Sequence, residues 1–419
     1  MIALHAVAAL VGTVLVLAVL VSALETVVLP RNGFTRIARC VFAVADRILV
    51  HEWRNSDRRA NLRALYAPIA LVSLPLVWMI AMTVGFMFVF WGIKTGTMQR
   101  SFEVSGSSLF TLGFAEPAWT SRIWLTFIEA TIGLGLVALL ISYLPTIYSA
   151  HHEREKGIIV LRPFAGTPPS PIDLLVNLQR LGTLDDPELW RTVSAWLLEL
   201  DQTHTAFPAL CYFPESSTDQ SWVASVGSML DAGAILLSAS HLSAAGDAGD
   251  AGDAGGVGAG DVGEGADTAA AAAAADAAAE AGLVKARGPM MAVAYGMPTL
   301  GRIGMSAGLP IEASPLLLSL MGRSGDAPPT VGVTRAEYMA ALDRLTALVE
   351  VPEAQREECW RRFAWIRSGY DRALRGLSGL TMAAPAEWTT DRPARVGRPR
   401  LLLARPIRVD WDPDPTPHL

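Results

Sequence analysis

The chain has 419 residues, 18% of them charged, a net charge of −6 and a mean hydropathy of +0.34. This length holds a membrane part plus one or two soluble domains, and the hydropathy is too high for a wholly soluble protein. The acidic balance argues against nucleic acid as a partner, and Cys40, Cys211 and Cys359 are too few and too scattered for a disulfide framework or a Cys-based zinc site.

The apolar character is concentrated before residue 150, so the composition is that of two joined proteins. A bilayer takes about 20 helical residues. Three stretches meet that need: Ala6 to Leu24 and Leu65 to Gly92 without a charge, and Ile123 to Ala150 with the single acid Glu129. Residues 1–28 therefore read as an N-terminal transmembrane helix. Val21-Ser22-Ala23 resembles a signal-cleavage site, but no Lys or Arg precedes the run and it is long for a signal sequence, so a retained helix is expected.

Lys and Arg counts set the orientation. The loop 29–64 carries Arg31, Arg36, Arg39, Arg47, Arg54, Arg58, Arg59 and Arg63, and Arg154 and Lys156 follow the third span. Only Lys94, Arg100 and Arg122 lie between the second and third spans. The segment 93–122 and the N-terminus are thus expected outside, and everything after Ala150 inside. The Arg36–Arg39 series stops after two and lies in a polar segment, so the basic loop reads as an interfacial helix on anionic lipid, not a voltage sensor.

The outward segment 101–117 ends in Thr111-Leu112-Gly113-Phe114-Ala115-Glu116-Pro117. Placed between two spans, this run resembles the filter of bacterial two-helix potassium channels, usually Thr-Val-Gly-Tyr-Gly-Asp. The resemblance covers about residues 67–156 and implies a pore domain at 65–150. Its parts would be an outer helix 65–93, a pore helix and filter 101–117, and an inner helix 122–150. It also implies a homotetramer, since one copy supplies a quarter of a pore. The carbonyls of Thr111, Leu112, Gly113 and Phe114 and the Thr111 hydroxyl would replace the water of K+ or another monovalent cation, with Phe114 as a packing cuff and Glu116 at the outer mouth. No other cofactor is implied.

Two departures stand out: Ala115 replaces the second filter Gly, and Glu116 replaces Asp. The family pattern implies a positive φ at residue 115, which costs a residue with a Cβ about 1–2 kcal/mol. Either a filter of altered selectivity or a pore fold that does not conduct follows.

In the inner helix, Gly133 and Gly135 read either as a gating hinge or as a site of close packing. Pro145 is expected to kink the helix. Glu129 is either functional, lining the pore or taking part in a proton-sensitive pairing, or hydrogen-bonded to a Ser or Thr behind the filter, for example Ser107 or Ser108.

His151-His152-Glu153 begins a His-Glu-x-x-His pattern, but Lys156 closes it, so zinc-protease chemistry is not expected. Residues 151–242 and 283–390 carry helical patterning. Asp185 and Asp186 are placed to cap a helix over 184–200, and Thr334 and Glu337 form a capping box. Residues 243–282 read as a low-complexity Ala/Gly/Asp linker, flexible in its Gly-rich half, with a helix expected over 268–281. The tail 391–419 mixes prolines with Arg392, Arg395, Arg398, Arg400, Arg405 and Arg408 and reads as solvated, with contact to anionic lipid or the acidic linker as the alternative.

The expected fold class is an α-helical membrane protein: three transmembrane helices, a re-entrant pore loop and a mostly α cytoplasmic domain. The expected location is the cell membrane, multi-pass, which is the inner membrane in a bacterium. Expected partners are other copies of the chain and membrane lipid. No nucleotide fingerprint, catalytic triad or phosphate loop appears, so no enzyme is expected and no cytoplasmic ligand is legible. A non-conducting scaffold or sensor that keeps the pore fold is the alternative function.

Overall fold

The computed structural model describes residues 2–27, 37, 40, 41, 44, 59–117, 122–213, 219–250, 288–311, 329–348, 351–381, 383–396 and 409–410, with the backbone alone at 27, 59–68, 70, 71, 212, 240–250 and 410. The arginines at 31–58, the expected helix over 268–281, and Arg398, Arg400, Arg405 and Arg408 lie outside the described residues. The chain is mostly helical and falls into two units. The first comprises mainly Met1–His152 and Thr203–Pro214, the second mainly Glu153–Gln202 and Glu215–Gly397.

In the first unit, helix α1 (Ile2–Val27) lies antiparallel along α2 (Arg59–Gly92). Small residues let the two backbones touch: a Cβ on Gly12 would stand 2.5 Å from the Gly85 carbonyl oxygen. Such contact is how apolar helices associate where burial of apolar surface gives no drive. At the far end, the His5 ring meets Trp91 at 4.8 Å, and His5 Nδ1 lies 3.1 Å from the Trp91 carbonyl oxygen.

Helix α3 (Met98–Leu109) begins at Thr97, whose hydroxyl accepts the Arg100 N–H at 3.2 Å. It packs on α2, burying Ser101, Val104, Ser105, Ser107, Ser108 and Leu109. Helix α4 (Ile123–Ala165) is continuous for 43 residues. It passes through Pro145 and continues past residue 150.

Among the described residues, four helices are long and apolar enough to cross a membrane by length and composition: Ile2–Thr26, Val72–Gly92, Ile123–Ala165 and Trp222–Ala239. They differ in what covers them. Their own chain buries 33%, 50% and 17% of the apolar windows of the first three, against 89% of the fourth. The exposed apolar faces of the first three need lipid or another protein surface, whereas the fourth already has its apolar cover.

The second unit contains that fourth helix, α7 (Trp222–Asp250). The helix extends to Asp250, into the segment composition had assigned to a linker. Around it stand α5 (Pro171–Arg180), α10 (Arg356–Ser368) and α11 (Asp371–Thr381). Asp186 caps α6 (Pro187–Ala206) by accepting the Glu188 N–H at 2.9 Å. A further helix, α8, spans 288–306. Helix α9 (Arg335–Arg344) carries the capping box expected at Thr334 and Glu337. A two-residue antiparallel pair joins β1 (Arg395–Val396) to β2 (Val409–Asp410).

The core of this unit is not wholly apolar. Arg367, 0% exposed, forms ion pairs with Asp231 of α7 and, at 3.2 Å, with Asp371. The Tyr370 hydroxyl donates to Asp231 Oδ1 at 2.6 Å. Burial, then the Asp231 charge, push the Tyr370 phenol well above its ordinary value, so it stays a donor. Arg392, expected to be solvated, is buried and paired with Glu337. The reason is that Glu337, placed by its own capping box, offers a carboxylate that desolvated Arg392 can meet with two nitrogens.

Candidate functional site

The end of α3 and the seven residues after it form the candidate site. Helix α3 closes as a Schellman turn: Thr111 N–H donates to the Ser108 carbonyl at 3.0 Å, and Leu112 N–H donates to the Ser107 carbonyl at 2.8 Å. This turn needs a left-handed residue after the cap, a place usually held by Gly. Here Thr111 holds it, at φ 55°. For a β-branched residue that conformation is an outlier, at a cost of about 1–2 kcal/mol. Thr111 Oγ1 donates to the Phe110 carbonyl at 2.8 Å.

The chain then runs back along α3. Gly113, at φ 72°, directs its N–H to the Ser107 carbonyl at 3.4 Å. Ala115 N–H donates to Ser107 Oγ at 2.9 Å. Arg100 reaches the Glu116 carbonyl at 3.2 Å and Glu103 at 3.2 Å. The turn is therefore held at its middle and at its end.

The backbone corrects one expectation. Positive φ was expected at Ala115, but the left-handed residues here are Thr111 and Gly113. The strain falls on Thr111 because the helix ends there. Ala115 is buried and carries none. Leu112 and Phe114, by contrast, are 64% and 66% exposed in the single chain, and Glu116 is exposed too.

Behind the turn, α4 supplies Glu129 and Gly133. Glu129 is 0% exposed. Its Oε1 lies 2.5 Å from Ser105 Oγ, so the bond to a serine behind the filter is made, and the serine is Ser105. Ser105 also reaches the Thr83 carbonyl of α2 at 2.9 Å. Glu129 Oε2 has no hydrogen-bond partner among the described residues.

Gly133 is a contact point: a Cβ there would stand 2.1 Å from the Leu109 carbonyl oxygen. Gly135 has nothing within 4 Å and is exposed. Pro145 is exposed as well and lies away from the turn along α4.

Thr111, Leu112, Gly113, Phe114 and Ala115 are thus gathered on one turn, with Glu129 and Gly133 against the helix that leads into it. The residue that sequence reading undervalued is Ser107, whose significance lies in hydrogen bonds that no spacing rule announces. Among the described residues, no group of three or more His, Cys, Asp or Glu is placed to hold a metal.

No protein-family model, no curated protein and no solved structure matches this chain.

Proposed function

We propose that the chain is a subunit of a potassium-channel-like pore, in which several copies, four by the resemblance, surround one path for monovalent cations. One observation carries the reading. A short helix between two long apolar helices ends in an exposed turn, Thr111 to Phe114, whose N–H groups at Leu112 and Gly113 are taken up by that helix. Lone backbone carbonyls at the negative end of a helix are what a dehydrating cation requires.

In this reading α1, α2 and α4 cross the membrane and α3 with its turn forms a re-entrant pore loop. The antiparallel course of α1 and α2 fits the orientation given by the arginine counts. The large exposed side chains Phe127, Leu134, Ile141 and Tyr148 recur every seven residues along α4, a spacing that suits a seam with a neighbouring copy. The helical second unit, on the cytoplasmic side, gates the pore or holds the copies together.

A second reading is a non-conducting scaffold or sensor with the same fold. It is favoured by the left-handed Thr111, because the segment begins as a helix cap and not as an extended stack of carbonyls. The two readings separate in liposomes. Purified protein should pass K+ or Na+, and Gly113→Asp should abolish the flux. A scaffold passes neither ion in either form.

A further inference from the structure

Four serines lie buried on α3, and three of them use their hydroxyls in familiar ways. Ser101 Oγ donates to the Thr97 carbonyl at 3.0 Å and Ser108 Oγ to the Val104 carbonyl at 2.8 Å, both one helical turn back. Ser105 turns toward α2 and α4. Ser107 does something else: its carbonyl accepts the N–H of Leu112 and of Gly113, and its Oγ accepts the N–H of Ala115.

The consequence follows from the planar trans peptide. The N–H of one residue and the carbonyl of the residue before it share a plane and point in opposite directions. Turning the N–H groups of Leu112, Gly113 and Ala115 onto Ser107 therefore turns the carbonyls of Thr111, Leu112 and Phe114 away from it. These are three of the four carbonyls assigned to the ion. A buried side chain and its own carbonyl thus set the direction of three peptide planes in an otherwise exposed turn.

We propose that Ser107 is the positioning residue of the filter. Its Oγ fixes the peptide between Phe114 and Ala115 and so holds the Phe114 carbonyl toward the ion path. This bond also gives residue 115 a defined backbone at negative φ, which is why Ala is tolerated where the family pattern has Gly. The proposal rests on the pore reading above.

The test compares Ser107→Ala, which removes only the Oγ acceptor, with Ser107→Thr, which restores a hydroxyl. In planar bilayers under a K+/Na+ gradient, Ser107→Ala should shift the permeability ratio by about fivefold, the equivalent of one lost hydrogen bond. Ser107→Thr should return it toward wild type, and the oligomer size should be unchanged in both. Amide exchange of a peptide covering 110–117 gives a readout that does not need conduction, and should be faster in Ser107→Ala than in wild type or Ser107→Thr. If wild type conducts and both ratio and exchange are unchanged in Ser107→Ala, the positioning role is wrong while the pore reading stands. If wild type is silent to both ions, the pore reading fails and the ion-positioning role fails with it.

Discussion

Ser105 Oγ lies 2.5 Å from Glu129 Oε1 and 2.9 Å from the Thr83 carbonyl oxygen, so one hydroxyl joins α3 to both long helices beside it. Ser105 has a single proton to give and two oxygens within reach. The pair is fully buried, and burying polar groups is tolerable only where they bond to each other. This contact fixes the depth of α3 between α2 and α4.

Glu129→Gln should therefore be tolerated. The amide keeps an acceptor for Ser105, and its NH2 can donate to Ser105 Oγ, which frees the Ser105 proton for Thr83. Glu129→Ala leaves a cavity and should cost about 2–4 kcal/mol. Thermal denaturation in detergent, followed by tryptophan fluorescence, should place Glu129→Gln near wild type and Glu129→Ala well below. Equal losses in both would mean that the carboxyl itself is required.

Gly133 and Gly135 should behave oppositely. An Ala Cβ at 133 meets the Leu109 carbonyl oxygen at 2.1 Å, so α4 must shift at a cost of about 1–3 kcal/mol. At 135 nothing lies within 4 Å, and Ala gains up to about 1 kcal/mol of helix propensity. Melting temperature should fall for Gly133→Ala and hold or rise for Gly135→Ala. A hinge at Gly133 would instead change gating and leave the melting temperature alone.

The long apolar helices were legible in the sequence because lipid demands length and uniform hydropathy, and both can be counted residue by residue. The caps at Asp186 and Thr334 were legible because they are local. What was not legible is tertiary. Arg392 looked like one arginine among many in a proline-rich tail, and its burial depends on Glu337, which is remote in the chain. Residues 151–242 read only as helically patterned, and what sets the place of Trp222–Ala239 is that Asp231 within it is matched by Arg367, a pairing visible only once α7 and α10 are side by side. At the turn, the family pattern led to Ala115 as the strained residue, while the Schellman closure of α3 moves the strain to Thr111.

The Glu337–Arg392 pair makes a pH prediction. Burial alone would raise the Glu337 carboxyl, but hydrogen bonds from Arg392 and Thr334 outweigh it and hold the group below its ordinary value of 4.5. A group depressed in the folded state stabilises fully above its unfolded value and loses that contribution as pH falls through the folded one. The difference in melting temperature between wild type and Glu337→Gln should thus be constant above about pH 5 and close on acidification. A gap that widens on acidification would contradict the pairing.

The central claim is that several copies of Thr111–Phe114 line one cation path, and subunit mixing tests it most directly. Wild-type and Gly113→Asp chains are co-assembled in equal amounts, and K+ flux into liposomes is measured. If four equivalent copies share a pore and one Asp blocks it, about one sixteenth of the wild-type flux should remain. A loss of only half would mean that each chain conducts alone, and wild-type liposomes impermeable to both K+ and Na+ would contradict conduction itself.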